Sequence, residues 1–180
     1  DGDPLLASMI LYDDELVYTF SNQNSTEKVN IYGFTIGFTA DFVGLQINGD
    51  FNVTKEFSGR SESGPMPHIP PNFGKIEFLK HLNQWTFRGL CLYAGSKPQN
   101  EFDDAGIDNL SETPLLDPES NVWGGSPGWW VLNFSAEYAF NNGLKLQAGI
   151  DNLLDAHYKT FGSGISAPGR NFIFSARSSF

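Results

Sequence analysis

The residues with most capacity for chemistry cluster in one acidic stretch, "EFDDAGIDNLSETPLLDPES", which gathers Glu101, Asp103, Asp104, Asp108, Glu112, Asp117 and Glu119. Hard cations such as calcium favour clustered oxygens, yet the spacing does not follow an EF-hand loop. Asp103, Asp104 and Asp108 are therefore weak metal candidates beside the plainer reading of a solvated acidic loop. His68, His81 and His157 lie far apart, without the close spacing of zinc ligands. Met66 and His68 are too few for a copper site. "GSGISAPG" (162–169) lacks the lysine and helix start of a phosphate-binding loop. No Ser-His-Asp or Cys-His set has supporting context. The residues point to a protein that is not an enzyme and that carries no cofactor-binding motif. What remains is a set of loop aromatics, Trp123, Trp129, Tyr158 and Phe161, placed either to touch a ligand or to form part of an aromatic girdle.

Composition narrows the partners. The formal net charge is −10, which argues against nucleic acid, whose phosphates require Lys and Arg. A single cysteine, Cys91, excludes an internal disulfide framework. No run of 18 apolar residues occurs, so a helical membrane span is not expected. The 16 Phe and 19 Gly indicate a β-rich chain.

The elements that must position these groups follow from period-two alternation. "WVLNFSAEYAF" sets Trp130, Leu132, Phe134, Ala136, Tyr138 and Phe140 against Val131, Asn133, Ser135, Glu137 and Ala139. "LKLQAGID" alternates in the same way, and "NNG" between the two predicts a tight primed hairpin turn. Strands are expected near 31–42, 45–54, 73–81, 85–95, 130–140, 143–152 and 170–180, with 1–30 as an outer loop. The alternation of the third pair is broken by Lys80 and by "LCL" (90–92).

The connections alternate short and long. Turns fall near 41–44, 82–84 and 141–143, and Pro- and Gly-rich segments at 55–72, 96–129 and 153–169. Structureless loops of more than about fifteen residues are uncommon in compact domains. Strict alternation instead suits a transmembrane β-barrel with tight turns at one end and large loops at the other. Strands of nine to twelve residues match what a tilted strand needs to cross a bilayer. Phe42, Trp85, Phe140 and Phe180 sit at the short-turn end, and Tyr32, Phe73, Tyr93, Trp129 and Trp130 at the long-loop end, as two aromatic girdles would. The polar faces, including Gln46, Asn48, Asp50, Asn52, Glu137, Lys145 and Gln147, would line a wet lumen. The fold expected is all-β, an antiparallel up-and-down meander of about seven strands.

The block "GIDNLLDAHYKTFGSGISAPGRNFIFSARSSF" resembles the C-terminus of TonB-dependent outer-membrane receptors, with a Bacteroidetes-like loop at "GIDNL" (106–110). The resemblance rests on Asp151, Asn152, Leu153 and Asp155, followed by the aromatic Tyr158, then on Pro168, Gly169 and Arg170, and on the terminal Phe180. "GPMPHIPPNFG", "IYGFTIGF" and "PGWWVLNFSA" fit it as well. It covers the chain from about Ile31 onward and is most specific in the last thirty-two residues.

The resemblance implies the last part of a 22-stranded barrel, whose lumen in such transporters is filled by a plug. The resemblance places the plug, and with it the TonB contact, outside this stretch. Phe180, with Phe174 and Phe172, is expected to be read by the barrel-assembly machinery. The expected partners are the remaining barrel strands, the plug, TonB through the plug and outer-membrane lipid. The expected setting is the outer membrane of a Gram-negative bacterium. The expected activity is uptake of a metal chelate such as a siderophore, haem or cobalamin. Two alternatives stay open at this point: a small stand-alone outer-membrane barrel with a structural or adhesive role, and a soluble β-sandwich that binds carbohydrate.

Overall fold

The computed structural model describes residues 9–13, 15–18, 28–57, 64–103 and 106–178. Asp104 and Phe180 lie outside them. Eleven strands occur among the described residues. A short hairpin, β1 (Met9–Tyr12) and β2 (Glu15–Tyr18), falls within the stretch expected to be loop. Its four-residue strands are too short for alternation to register.

The main sheet contains β3 (Ile31–Phe42), β4 (Leu45–Glu56), β5 (Phe73–Leu82), β6 (Trp85–Ala94), β9 (Trp129–Ala139), β10 (Leu144–Asp151) and β11 (Asn171–Ser178). All pairs are antiparallel, in the spatial order β11-β10-β9-β6-β5-β4-β3. Between β6 and β9 the chain forms a two-stranded ribbon, β7 (Leu115–Asp117) with β8 (Val122–Trp123). Each expected strand is present within two residues of its expected ends. The seven form one continuous layer and not two stacked sheets, which removes the sandwich alternative.

Register sorts the side chains into two faces. Phe34, Val53, Ile36, Phe51, Ala40 and Ile47 meet on one face, and Thr35, Asn52, Thr39, Asn48, Asp41 and Gln46 on the other. The apolar face is open: Phe34, Ile36, Phe134, Phe172 and Phe174 are all exposed, Phe174 at 79%. Fully burying each such side chain is worth roughly 1.5–3 kcal/mol, so a layer like this needs an apolar medium against it. Aromatic contacts fix its short-turn end, where Trp85 meets Tyr138 at 4.8 Å and Tyr138 meets Phe140 at 4.6 Å between ring centres.

The polar face is held by cross-strand pairs. Thr35 donates to Asn52 at 2.7 Å, Asn52 in turn donates along its own strand to Asp50 at 2.8 Å, and Lys145 lies 3.4 Å from Glu137 across strands. Arg88 pairs with Glu77. Two local expectations change here. Leu79, Leu90, Leu92 and Val131 share this face, with Cys91 on the apolar side between two of them, which is why "LCL" appeared to break the pattern. Lys80 falls on the apolar side but next to the turn, where its ammonium reaches the carbonyl of Val43 at 2.6 Å.

The turns are tight, as expected, but differ in type. Val43 and Gly44 both have positive φ, as a two-residue primed turn requires, and Asp41 accepts from the Gly44 N–H. The "NNG" turn is different: only Gly143 has positive φ, and Phe140 and Leu144 flank a three-residue loop. This is the alternative hairpin, a type I turn closed by a left-handed glycine.

Candidate functional site at the long-loop end

Among the described residues, burial on the apolar face is confined to glycines of the sheet such as Gly49, which lies beneath the Phe38 ring. The larger buried residues, Ala94, Lys97, Phe102, Asp103, Val131 and Asn152, belong to the loops or to the strand ends that meet them. The long loops thus carry their own small core, folded against the polar side of the sheet.

Its centre is Lys97. The loop leaving β6 is pinched shut where Lys97 and Ser126 exchange backbone hydrogen bonds, both at 2.9 Å. Gly125 at φ +78° makes that approach, since a Cβ there would stand 2.2 Å from the Lys97 carbonyl oxygen. The Lys97 ammonium donates to Asp108 Oδ2 at 2.6 Å and to the Ile69 carbonyl at 2.9 Å. It also lies between two rings, 4.8 Å from the centre of Phe102 and 4.4 Å from that of Phe161. Both side chains of the ion pair are 1% exposed. Asp108 Oδ1 accepts from the backbone N–H of His68 at 2.8 Å. One lysine therefore ties together the loops that follow β4, β6 and β10.

This geometry accounts for the acidic stretch. The two oxygens of Asp103 accept from the N–H groups of Ile107 and Asp108, each at 2.9 Å. Asp108 is committed to Lys97 and His68. No group of three or more metal-ligating side chains occurs among the described residues. Asp103 and Asp108 act as loop-shaping carboxylates, and Asp117 similarly accepts from Ser120 and from the Glu119 N–H, which holds its carboxyl below the usual range.

The β10–β11 connection is a second knot, built by the expected motif. Asn152, at φ +49° and buried, donates its amide to the carbonyls of Ala156 at 2.8 Å and Pro168 at 3.2 Å. Its side-chain oxygen accepts from Ala156 N–H, and its own N–H donates to Asn133. Asp155 accepts from the Arg170 N–H at 2.7 Å, and Arg170 Nε donates to the Leu153 carbonyl. A Cβ on Gly169 would stand 2.8 Å from the Asp155 carboxylate. Asn and Asp are the residues that tolerate the left-handed backbone this loop needs.

Between these two knots lies a cavity of about 310 Å³, lined by Glu112, Ser126, Trp129, Tyr158, Lys159 and Phe161 among others. The Trp129 and Tyr158 rings pack with centres 4.5 Å apart. Lys159 sits 3.9 Å from the Glu112 carboxylate across the cavity and donates to the Glu112 carbonyl at 3.4 Å. His157 bonds Ser166 at 3.0 Å. Of the four loop aromatics read from the sequence, the fold brings three together here. Trp123 lies apart, lining a recess beside Phe102 and Leu110.

Trp129 and Trp130 point to opposite sides of β9: Trp129 pairs with Ala94 on the polar side, and Trp130 with Tyr93 on the apolar side. Phe73 likewise faces the polar side, opposite Asn52 and Ala94. Trp129 and Phe73 are thus removed from the girdle expected at this end, because only every second residue of a strand faces the apolar side. Lys97 escaped the sequence reading altogether. A single lysine in a polar loop carries no spacing signal, and its partners Phe102, Asp108 and Phe161 follow no common period.

A single up-and-down sheet with an open apolar face, a polar opposite face, tight turns at one end and large folded loops at the other defines a segment of transmembrane β-barrel wall. The family model described as "TonB dependent receptor-like, beta-barrel" matches residues 7–153, and the chain belongs to that family. Its members are outer-membrane transport proteins, not enzymes. The matched span begins before the stretch on which the resemblance was read and stops short of β11. A comparison with curated proteins finds no match. Among solved structures the chain is similar to one titled "Copper transporter OprC", with a TM-score of 0.63 and 19% identity. The alignment covers 84% of this chain and 23% of that one, and at this identity the likeness is one of fold.

Proposed function

We propose that this chain is a C-terminal stretch of the barrel wall of an outer-membrane receptor that imports a solute with energy delivered by TonB through a plug domain. The observation that carries the reading is the two-faced sheet: an exposed apolar face to meet lipid, and a polar face over whose long-loop end the loops fold. The β3 and β11 edges pair on one side only among the described residues, which favours continuation into neighbouring strands over a small stand-alone barrel. Phe180, Phe174 and Phe172 form the signal recognised during barrel assembly. The cargo class that the resemblance suggests is a metal chelate such as a siderophore, haem or cobalamin. The test is fractionation of the native full-length protein with boiled and unboiled gel migration. An outer-membrane polypeptide of several hundred residues that migrates faster unboiled is the expected result. A soluble species of the size of this chain would overturn the reading.

A further inference from the structure

We infer that the cavity between the loops after β6 and β10 is a subsite for a neutral, hydroxylated ring, with Trp129 and Tyr158 as its apolar wall and Glu112 and Lys159 as its hydrogen-bonding rim. The inference takes from the receptor reading only that these loops face the outside.

Four observations carry it. First, Trp129 is turned inward by strand register, so its ring is available to the cavity and not to lipid. Second, Trp129 and Tyr158 are half-buried and packed together at 4.5 Å, a preset apolar surface against which the C–H face of a saturated ring can lie. Third, the rim offers one acceptor and one donor that are only loosely engaged with each other, 3.9 Å apart and partly exposed, whereas the deeper Asp108 and Lys97 are committed to one another, to the His68 N–H and to the Ile69 carbonyl. Vicinal hydroxyls, each both donor and acceptor, complement such a pair. Fourth, the charge disfavours an anion: the chain carries −10 overall, and the rim cation Lys159 already has a carboxylate beside it. A cavity of about 310 Å³ is at the small end of ligand sites and suits a ring or two rather than a macrocycle.

Such a ring has two possible sources, a saccharide or the sugar-bearing part of a neutral metal chelate, and the experiment separates them. Saturation-transfer NMR is recorded on the detergent-solubilised full-length receptor with maltose, with cyanocobalamin and with gallium citrate as the anionic chelate. Expected is transfer to sugar-ring protons of maltose, of cyanocobalamin or of both, the responding probe identifying the source. Trp129→Ala and Tyr158→Ala are each expected to weaken it by about tenfold, and Trp123→Ala to leave it unchanged. Glu112→Ala, a partly exposed position that keeps the fold intact, is expected to weaken binding severalfold, and keeps the proposal open to refutation if either aromatic variant fails to assemble. Transfer to gallium citrate that depends on Trp129 while the neutral probes show none would overturn the proposal, as would the absence of any Trp129-dependent transfer. Heat-modifiable migration and TonB-dependent uptake are read separately. A receptor that binds maltose but imports nothing would overturn the transport reading and leave the subsite standing.

Discussion

The two ends of this sheet solve the problem of burial in different ways. At the short-turn end and along the apolar face, side chains such as Phe34, Ile36 and Phe134 are left open, and their burial awaits a medium that the chain does not provide. At the long-loop end the chain supplies its own interior: Lys97, Phe102, Asp108 and Asn152 are enclosed by loops that are distant in sequence and meet through hydrogen bonds and rings. The wall is stabilised by its surroundings, and the loop junction by specific partners. Changes to the wall should therefore be judged by which face they touch, and changes to the junction by which partner they orphan.

The sharpest way to break the junction is Asp108→Ala in the full-length receptor. It leaves the Lys97 charge buried and unpaired, a loss of about 3–5 kcal/mol in a setting of this kind. Rapid amide exchange and proteolysis in the loops, with the sheet still protected, is the expected signature. Lys97→Met combined with Asp108→Leu is expected to recover much of that protection.

Next comes the contrast of faces on one strand. Phe134→Arg and Ile36→Arg place a cation on the open apolar face, expected to cost about 2–4 kcal/mol if that face meets the bilayer midplane as proposed. Ser135→Arg and Thr35→Arg place it on the polar face and should be tolerated. Urea titration of heat-modifiable migration measures both, and equal behaviour of the two sets would break the assignment of faces.

Asn152→Ala removes the side-chain bonds that close the β10–β11 loop. About 1–3 kcal/mol is expected from the carbonyls left unsatisfied, seen as faster exchange at Ala156. The smallest change is Lys55→Ala, which breaks an ion pair with Glu101 whose side chains are about half exposed. Only about 0.2–1 kcal/mol is expected, vanishing at high salt. Acid offers a finer probe of the β7–β8 ribbon. The Asp117 carboxyl is held below its ordinary value of 3.8, first by the Ser120 hydroxyl. Its contribution is therefore complete above that value and is lost as pH falls through the lowered one. Amide exchange at Glu119 should rise in that window and not at neutral pH.

How far each region could be read from sequence follows the same division. The wall was legible because an apolar and a polar environment select side chains residue by residue: "WVLNFSAEYAF" and "LKLQAGID" state both the strand and its two faces. The Asn152–Asp155 motif was legible as a unit, although its role as a hydrogen-bonded knot was not. The short β1–β2 and β7–β8 ribbons carry no legible signal because two to four residues hold too little of a period-two pattern. The girdle does not include Trp129 and Phe73 because a place at the strand end does not decide the face: register turns both to the polar side.

By itself, then, the sequence determined an all-β meander with one apolar and one polar side, the positions of its seven long strands and the end at which its large loops lie. Those properties repeat locally, every second residue, and need no knowledge of distant partners. Only the tertiary structure decided that Lys97 is buried between Phe102 and Phe161 against Asp108, that the acidic loop is self-satisfied, and that Trp129 and Tyr158 enclose a cavity. The acidic loop closes through contacts only four or five residues apart, but the Lys97 and Trp129 contacts join groups from different long loops, and no period-two pattern encodes how those aperiodic loops close.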